Sequence, residues 1–533
     1  MNTKQLKAKV LDLAIHGKLL SPETVAELKK SPDYETADVL LEKIRKEKEE
    51  KIAKGELKRD KKDSYIFVGD DKRHYEKFAY GTVKDIEDEI PFDVPEGWAW
   101  CRLGGISTLK GGKRIPSGLS ATKKKTEHIY IRVTDMKNYS ISDEDLVYID
   151  NLIFDKIKQY TISKTDLYLT IAGTIGRVGE VPEQFDGMNL TENALKLTNI
   201  FINKRYLMFV LNSSFVQDYF ESTYHQVAMP KLSLINASKT LIPIPPFFEQ
   251  EKVVSTIEKT FKQIDLLEQN KSDLQTAIKQ AKSKILDLAI HGKLVPQDAN
   301  DEPASVLLEK LRAEKEEKIA KGELKRDKND SYMYKGSDNC YYEKLNGKEI
   351  CIDDEIPFEI PANWTWKRGK EIFLSMFTRT PEKTGTFKYI DIDAIDNKQH
   401  KITTPKTIEA KNAPSRASRG VESGDVLFSM VRPYLENIAL IKEEHADCIA
   451  STGFYVCRPN KAIYSEYLFY LMTSTYVIKG LNEFMKGDNS PSISGDEIAK
   501  WLYPIPPIEE QKRIVKIIND LFKRLDQIQA NVI

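Results

Sequence analysis

The 533-residue chain lacks the short motifs that announce most catalysts. It has no GxxxxGK(S/T) phosphate loop, no HExxH, no CxxC pair and no G-x-S-x-G elbow, which argues against the common nucleotide, zinc-peptidase, thiol-redox and serine-hydrolase chemistries. Also missing are the (D/N)PP(Y/F) stretch with which amino-methyltransferases hold an extruded base and a glycine-rich S-adenosylmethionine loop after a first strand. No apolar run approaches the roughly 20 residues needed to span a bilayer. The opening MNTKQLKAKVLDLAIHGK mixes charge with apolar residues at helical spacing and has no apolar block of the secretory kind. Cysteine is scarce: Cys101, Cys340, Cys351, Cys448 and Cys457 make five, an odd number without metal spacing, which argues against a disulfide framework and fits a reducing cytoplasm. Excess charge of either sign is absent too, with 81 basic and 81 acidic residues, so the chain as a whole is not built to grip nucleic acid unaided. One local exception runs from Lys110 to Lys125, where six basic residues occur without an acid.

What the chain does have is an internal repeat. Of the 26 residues from Leu40 to Tyr65, 23 return between Leu307 and Tyr332. KVLDLAIHGKL at Lys9 returns as KILDLAIHGKL at Lys284, DEIPF at Asp88 returns at Asp354, and PIPPFFEQ at Pro243 returns as PIPPIEEQ at Pro504. Each DEIPF leads to a Trp-X-Trp, at Trp98 and Trp100 and at Trp364 and Trp366. In mid-chain the PIPP piece runs straight into the LDLAIHGKL piece, whereas at the ends one opens the chain and the other closes it. The two ends therefore complete one split repeat. Aligned on the central copy, Ile533 falls at Ser272 and Met1 at Thr276, which predicts termini within about 10 Å of each other and a closed, pseudo-twofold arrangement.

Apolar residues at Val253, Ile257, Ile264, Leu267, Leu274, Ile278, Ala281, Ile285 and Leu288 step by three, four and seven, predicting a coiled-coil helix over about Glu249 to Ala289. Ile514, Ile518, Leu521, Leu525 and Ile528 repeat the pattern, which continues into Leu6, Val10 and Leu13. Two such helices would pack antiparallel. The duplicated IRKEKEEKIAKGELKRD reads as a solvated helix ending near Gly55 and Gly322, and its near-identity admits a second reading, that both copies meet the same kind of partner. His16 and His291, each before a glycine, read as helix-capping residues rather than catalysts.

Between the repeats lie two divergent stretches, about Gly105 to Leu234 and about Glu371 to Ile498. Each carries a basic or polar loop, short strand-like runs, a strand–loop–strand bearing an arginine, an aromatic-rich helix, and a closing polar loop. AGTIGRVG at Ala172 reads as a tight turn between two strands, because Arg177 stands where a nucleotide motif needs glycine. The predicted fold is α+β: two globular domains joined by long antiparallel coiled-coil helices, with circularly arranged repeats. The expected boundaries are helical regions at 1–84, 241–350 and 502–533 and globular domains at 85–240 and 351–501.

The IPxPPxxEQ segments followed by a long helix, the LDLAIHGKL pieces, the xIPxxxPxxWxW openings and the AGTxGRVG turn together resemble the specificity subunit of type I restriction-modification enzymes over essentially the whole chain. SMVRPYLEN in the second stretch departs from the AGTxGRVG turn. The resemblance implies two target-recognition domains held at a fixed distance, each reading one half of an interrupted double-stranded DNA sequence. It implies two docked methyltransferase subunits that flip an adenine in each half-site, and a further ATP-dependent pair that translocates and cleaves DNA. It implies no catalytic site, metal or cofactor in this chain, with S-adenosylmethionine, ATP and magnesium serving the partner subunits, and no membrane association.

Base reading favours arginine and lysine in the loops, since a guanidinium donates twice to a guanine edge, with amide and hydroxyl groups serving other bases. The candidates are Lys113, Arg114, Arg177, Gln226 and Lys231 in the first stretch, and Arg379, Arg416, Arg419, Arg432, Tyr434, Lys486 and Asn489 in the second. Some should contact phosphate or only solvent. Two competing readings predict different behaviour: an enzyme with an unrecognised site would act alone, and a protein-binding adaptor would show no DNA sequence preference.

Overall fold

The computed structural model describes residues 2–59, 63–223, 230–326, 331–345 and 347–532. Met1, Ile533 and Gln226 lie outside them, so neither the meeting of the termini nor the Gln226 assignment falls within the described residues. The chain divides into two compact units, Met1–Asn270 and Lys271–Ile533.

In the first unit the helix Thr3–Ile15 starts with a capping box between Asn2 and Gln5. It lies along the beginning of the long helix Phe247–Ile290, which follows Pro245 and Pro246. Lys7 bonds Asp265 at 2.5 Å while Tyr34, further along the chain, bonds Glu249 at 2.6 Å, so the two segments run antiparallel. Val10, Leu11, Ala14 and Ile15 share a core with Val253, Ile257, Phe261 and Ile264. The second unit repeats this pairing between the end of the long helix and Ile508–Val532. Lys282 bonds Asp526 at 2.6 Å and Gln297 bonds Glu510 at 2.7 Å, and Leu286 and Ile290 bury against Ile514, Val515 and Ile518. The split repeat thus becomes two equivalent helix pairs, one per unit.

The seam departs from the sequence pattern at its centre. Leu267 is 63% exposed and its counterpart Ile528 47%, so the apolar stripe is left uncovered there. Register alone predicts a continuous stripe, whereas burial needs a neighbour at every turn.

The shared motifs fasten these helices to the globular parts. His16 stacks on Phe92 at 4.0 Å, and Phe92 meets Trp100 edge-on at 5.0 Å. Gly17 sits at φ 65°, and a Cβ there would lie 2.2 Å from Pro95. His291, Phe358, Trp366, Gly292 and Pro361 repeat the arrangement. Both histidines cap their helices as expected, with Nδ1 at 2.7 Å from the carbonyls of Asp12 and Asp287. In the EQ pair, Glu249 accepts from Trp98 Nε1 at 2.8 Å, and fully buried Gln250 accepts from Asn203 N and donates to Pro245 O, both at 2.9 Å.

Each divergent insert is closed by an antiparallel pair, Ala99–Arg102 with Leu241–Ile244 and Thr365–Arg368 with Leu502–Ile505. Inside the first insert one four-stranded antiparallel sheet has the order Val178–Glu180, Leu167–Thr170, Ala194–Thr198, Thr108–Gly111. A second pairs Met188–Leu190 with His128–Ile131 in parallel. The second insert has the same plan, in the order Ile438–Leu440, Val426–Ser429, Phe454–Pro459, Phe373–Leu374, with Thr386–Ile390 parallel to Ile449–Ser451 in its other sheet. The aromatic-rich segment of each insert is two helices rather than one, Lys204–Leu211 and Ser214–Ser222, and Ser465–Met472 and Thr475–Asn482. Side chains end each first helix: Asn212 Nδ2 takes the Met208 carbonyl at 2.8 Å, and Ser474 caps the next helix at Val477 N.

Candidate DNA interface

In the first unit the loops gather at one end of the antiparallel sheet. Gly112 N bonds Ala194 O at 3.0 Å, Ile171 N bonds Asn193 O at 2.8 Å, and Leu232 N bonds Ile171 O at 2.9 Å. The 112–114 loop, the 191–193 turn, the 171–177 turn and the 231 segment are therefore neighbours. Gly112 has no room for a side chain, since a Cβ would lie 2.1 Å from Thr191 O. Lys113 and Arg114, which follow it, are exposed.

Lys113 is anchored by its backbone, with N to Leu190 O and O to Tyr130 Oη both at 2.9 Å, and its Nζ lies 5.5 Å from the Tyr160 ring. The Arg114 side chain is 79% exposed and reaches Glu192 at 2.6 Å. Partial burial pushes the Glu192 carboxyl up, but hydrogen bonds from Arg114, its own backbone, Thr191 and Tyr130 hold it below the usual carboxylate range. AGTIGRVG is the tight turn that the sequence suggested, joining Leu167–Thr170 to Val178–Glu180. Arg177 is exposed, with N to Thr170 Oγ1 at 2.9 Å and one guanidinium nitrogen on Met136 O at 3.0 Å. Lys231 is exposed and bridged to Ala172, beside that turn.

In the second unit the equivalent end of the sheet is built from 430–436, 452–453 and 485–493. Arg432 holds a left-handed backbone at φ 47°, a conformation costing on the order of 1 kcal/mol for a residue other than glycine. It is kept there by Arg432 N to Pro491 O at 2.8 Å and by Nη2 to Asn489 O at 2.9 Å. Lys486 and Ser492 exchange two backbone bonds of 3.0 Å, so Arg432, Lys486 and Asn489 form one cluster, with Tyr434 45% exposed on the adjoining turn. Arg416 is exposed, and its carbonyl takes Thr452 N at 2.9 Å, next to Gly453, whose carbonyl takes Met430 N.

Arg379 and Arg419 stand apart. Arg379 donates to Ala446 O at 2.9 Å and lies 5.5 Å from the Phe377 ring, while Arg419 sits on the strand Ala417–Gly420, half-buried. The Arg379 guanidinium is placed to hold the other sheet, whereas Arg419 Nε is buried without a hydrogen-bond partner. The geometry adds Thr174 and Asn193 in the first unit and Thr452 in the second, small polar residues at the same loop ends. They carry no charge that would single them out in a sequence, and only the glycine spacing around Thr174 hints at an exposed turn.

A sequence family described as Type I restriction modification DNA specificity domain matches residues 95–276 and 361–533, two stretches that together cover more than half of the chain. The chain belongs to this family. The EcoAI type I restriction enzyme specificity subunit of Escherichia coli is 22% identical over 597 residues, spanning 99% of this chain and 90% of that protein. The EcoEI specificity subunit of the same species is 22% identical over 595 residues with the same coverage. A chain from a solved structure concerning complex assembly and conformational transition of the type I R-M system covers 83% of this chain and 94% of its own length at 17% identity, TM-score 0.51, a likeness of fold. This specificity subunit is a non-catalytic DNA-recognition component of a type I restriction-modification complex, with DNA and methyltransferase as partners. Among the described residues no helix is long and apolar enough to cross a membrane.

Proposed function

We propose that the two inserts, taken as domains over 85–240 and 351–501, each read one half of an asymmetric, interrupted DNA target from the loop ends described above. The observation that carries this reading is one sheet plan used twice with dissimilar loop residues: a common scaffold presenting different side chains suits two unlike half-sites. Lys113, Arg114, Arg177 and Lys231 serve the first half-site and Arg416, Arg432, Tyr434, Lys486 and Asn489 the second, with Gln226 retained from the sequence. Arg379 serves mainly to hold the domain, and Arg419 stays among the candidates for the second half-site. Two methyltransferase subunits act with this chain in the cytoplasm, using S-adenosylmethionine, and an ATP- and magnesium-dependent restriction pair completes the assembly. The zero net charge fits a chain that depends on those partners for much of its phosphate contact.

Co-expression with the methyltransferase and mapping of methylated adenines across the host genome should return a two-part motif with one modified adenine in each part. A complex that forms without any motif would favour the adaptor reading. Arg432→Ala should relax one base position of one half-site, by about 1–3 kcal/mol of discrimination, and leave the other half-site untouched. An unchanged motif would remove Arg432 from the base-reading set.

A further inference from the structure

The duplicated helix Ala37–Ala53 and the three-stranded meander after it, Ser64–Val68, His74–Phe78 and Val83–Asp85, lie outside both stretches matched by the DNA specificity family. So do their counterparts, Ala304–Ala320 and the strands Ser331–Lys335, Tyr341–Leu345 and Lys348–Cys351. DNA reading as proposed above makes no use of them. Because side chains alternate across a strand, each meander has two distinct faces. One buries Glu76 in the first unit and Ser331, Met333 and Tyr341 in the second.

The other face carries a row of half-exposed rings. Tyr65, Phe67 and Tyr75 follow one another at 6.0 and 5.8 Å, with the Arg45 guanidinium 4.1 Å from the Tyr65 ring and Lys77 opposite Tyr65 in the register. In the second unit Tyr332, Tyr334 and Tyr342 follow at 5.9 and 5.8 Å, with Arg312 at 3.1 Å from Tyr332 and Lys344 opposite it. Tyr75 bonds Asp71 at 2.7 Å and Tyr342 bonds Asp338 at 2.6 Å, which fixes the last ring of each row.

The positions around these rows have diverged. Asp70, Lys72 and Arg73 correspond to Ser337, Asn339 and Cys340, and the inward-facing Ile66 corresponds to Met333. A small sheet is held by its buried face and gains little from three rings and two cations set toward solvent. Their recurrence in both units, beside inserts that share almost no sequence, fits a surface that meets the same molecule twice. Its cationic rim, Arg45 with Lys77 and Arg312 with Lys344, suits an acidic, apolar patch.

We infer that this aromatic row is the docking surface for the methyltransferase, one subunit per unit of this chain. The inference rests on the function proposed above, since the methyltransferase is the partner that both half-sites require. The test is native mass spectrometry of the co-expressed complex with charge reversals at exposed or half-exposed positions, R45E with K77E in the first unit and R312E with K344E in the second. The expected result is two methyltransferases on the unaltered chain, one on either double variant and none on the quadruple variant.

A second readout uses the unaltered complex. Cys351 is exposed and lies opposite Tyr342, Cys340 is half-buried, and Cys101, Cys448 and Cys457 are buried, so maleimide labelling resolved by peptide and read at Cys351 reports on this face. Docked methyltransferase should slow that labelling at least tenfold. Two methyltransferases retained by the quadruple variant, or an unchanged Cys351 rate in the complex, would overturn the inference. So would loss of the ATP-dependent subunits alone. Failure of the function reading itself looks different: the unaltered complex would then assemble but leave no methylated motif.

Discussion

Seven residues inserted after Asn270 are expected to lengthen the spacer of the methylated motif by up to about three base pairs and to leave both half-sites unchanged. The helix Phe247–Ile290 runs from one unit into the next as a single 44-residue element. A heptad keeps the apolar seam on its original face and adds about 10 Å at 1.5 Å per residue. The site of insertion is tolerant because Leu266 and Leu267 are 60% and 63% exposed, so no packed layer is broken there. DNA advances about 3.4 Å per base pair, which sets the upper limit of the shift. Mapping of methylated adenines reads the result directly, and an unchanged spacer would show that this helix does not measure the distance between half-sites.

The second large effect concerns the EQ pairs. Gln250→Ala should destabilise the first unit by about 2–5 kcal/mol, because it strands Asn203 N and Pro245 O in a site where Gln250 itself is fully buried. Gln511→Ala should act likewise on the second unit, where the side chain accepts from Tyr464 N at 2.7 Å and donates to Ala462 O and Pro506 O, both at 2.9 Å. Denaturation followed by Trp fluorescence should show an earlier transition in each variant. A Gln250→Glu variant should be impaired as well, because a carboxylate cannot donate to Pro245 O. Wild-type stability in both alanine variants would mean that the long helix is anchored by its apolar face alone.

The helix pairs were legible because their signal is local and repeated: LDLAIHGKL and PIPPxxEQ recur at fixed spacing, and apolar residues fall at helical intervals. Phe247–Ile290 exceeds the expected span by only a few residues. The aromatic-rich helices were harder to place. Asn212–Ser213 and Thr473–Ser474 are weak breaks in an otherwise apolar pattern, and their side chains end a helix only because the backbone has a second direction to take. At the recognition loops, charge and position pointed to Arg114, Arg177, Lys231 and Arg432, and these lie at the loop ends of the antiparallel sheets. The same criterion also selected Arg379, whose guanidinium is taken up by the carbonyl of Ala446, 67 residues further along. An arginine that faces outward and one that holds a sheet have the same local sequence signature.

By itself the sequence determined that the chain is built twice and which segments form the scaffold, because repeats and periodicity are properties of order along the chain. The tertiary structure decided which loops become neighbours, that Arg432 is tied to Asn489 and Pro491, that Leu267 stands uncovered, and that Tyr65, Phe67 and Tyr75 form one row. Those outcomes depend on pairing and packing between residues far apart in sequence, which leave no local trace.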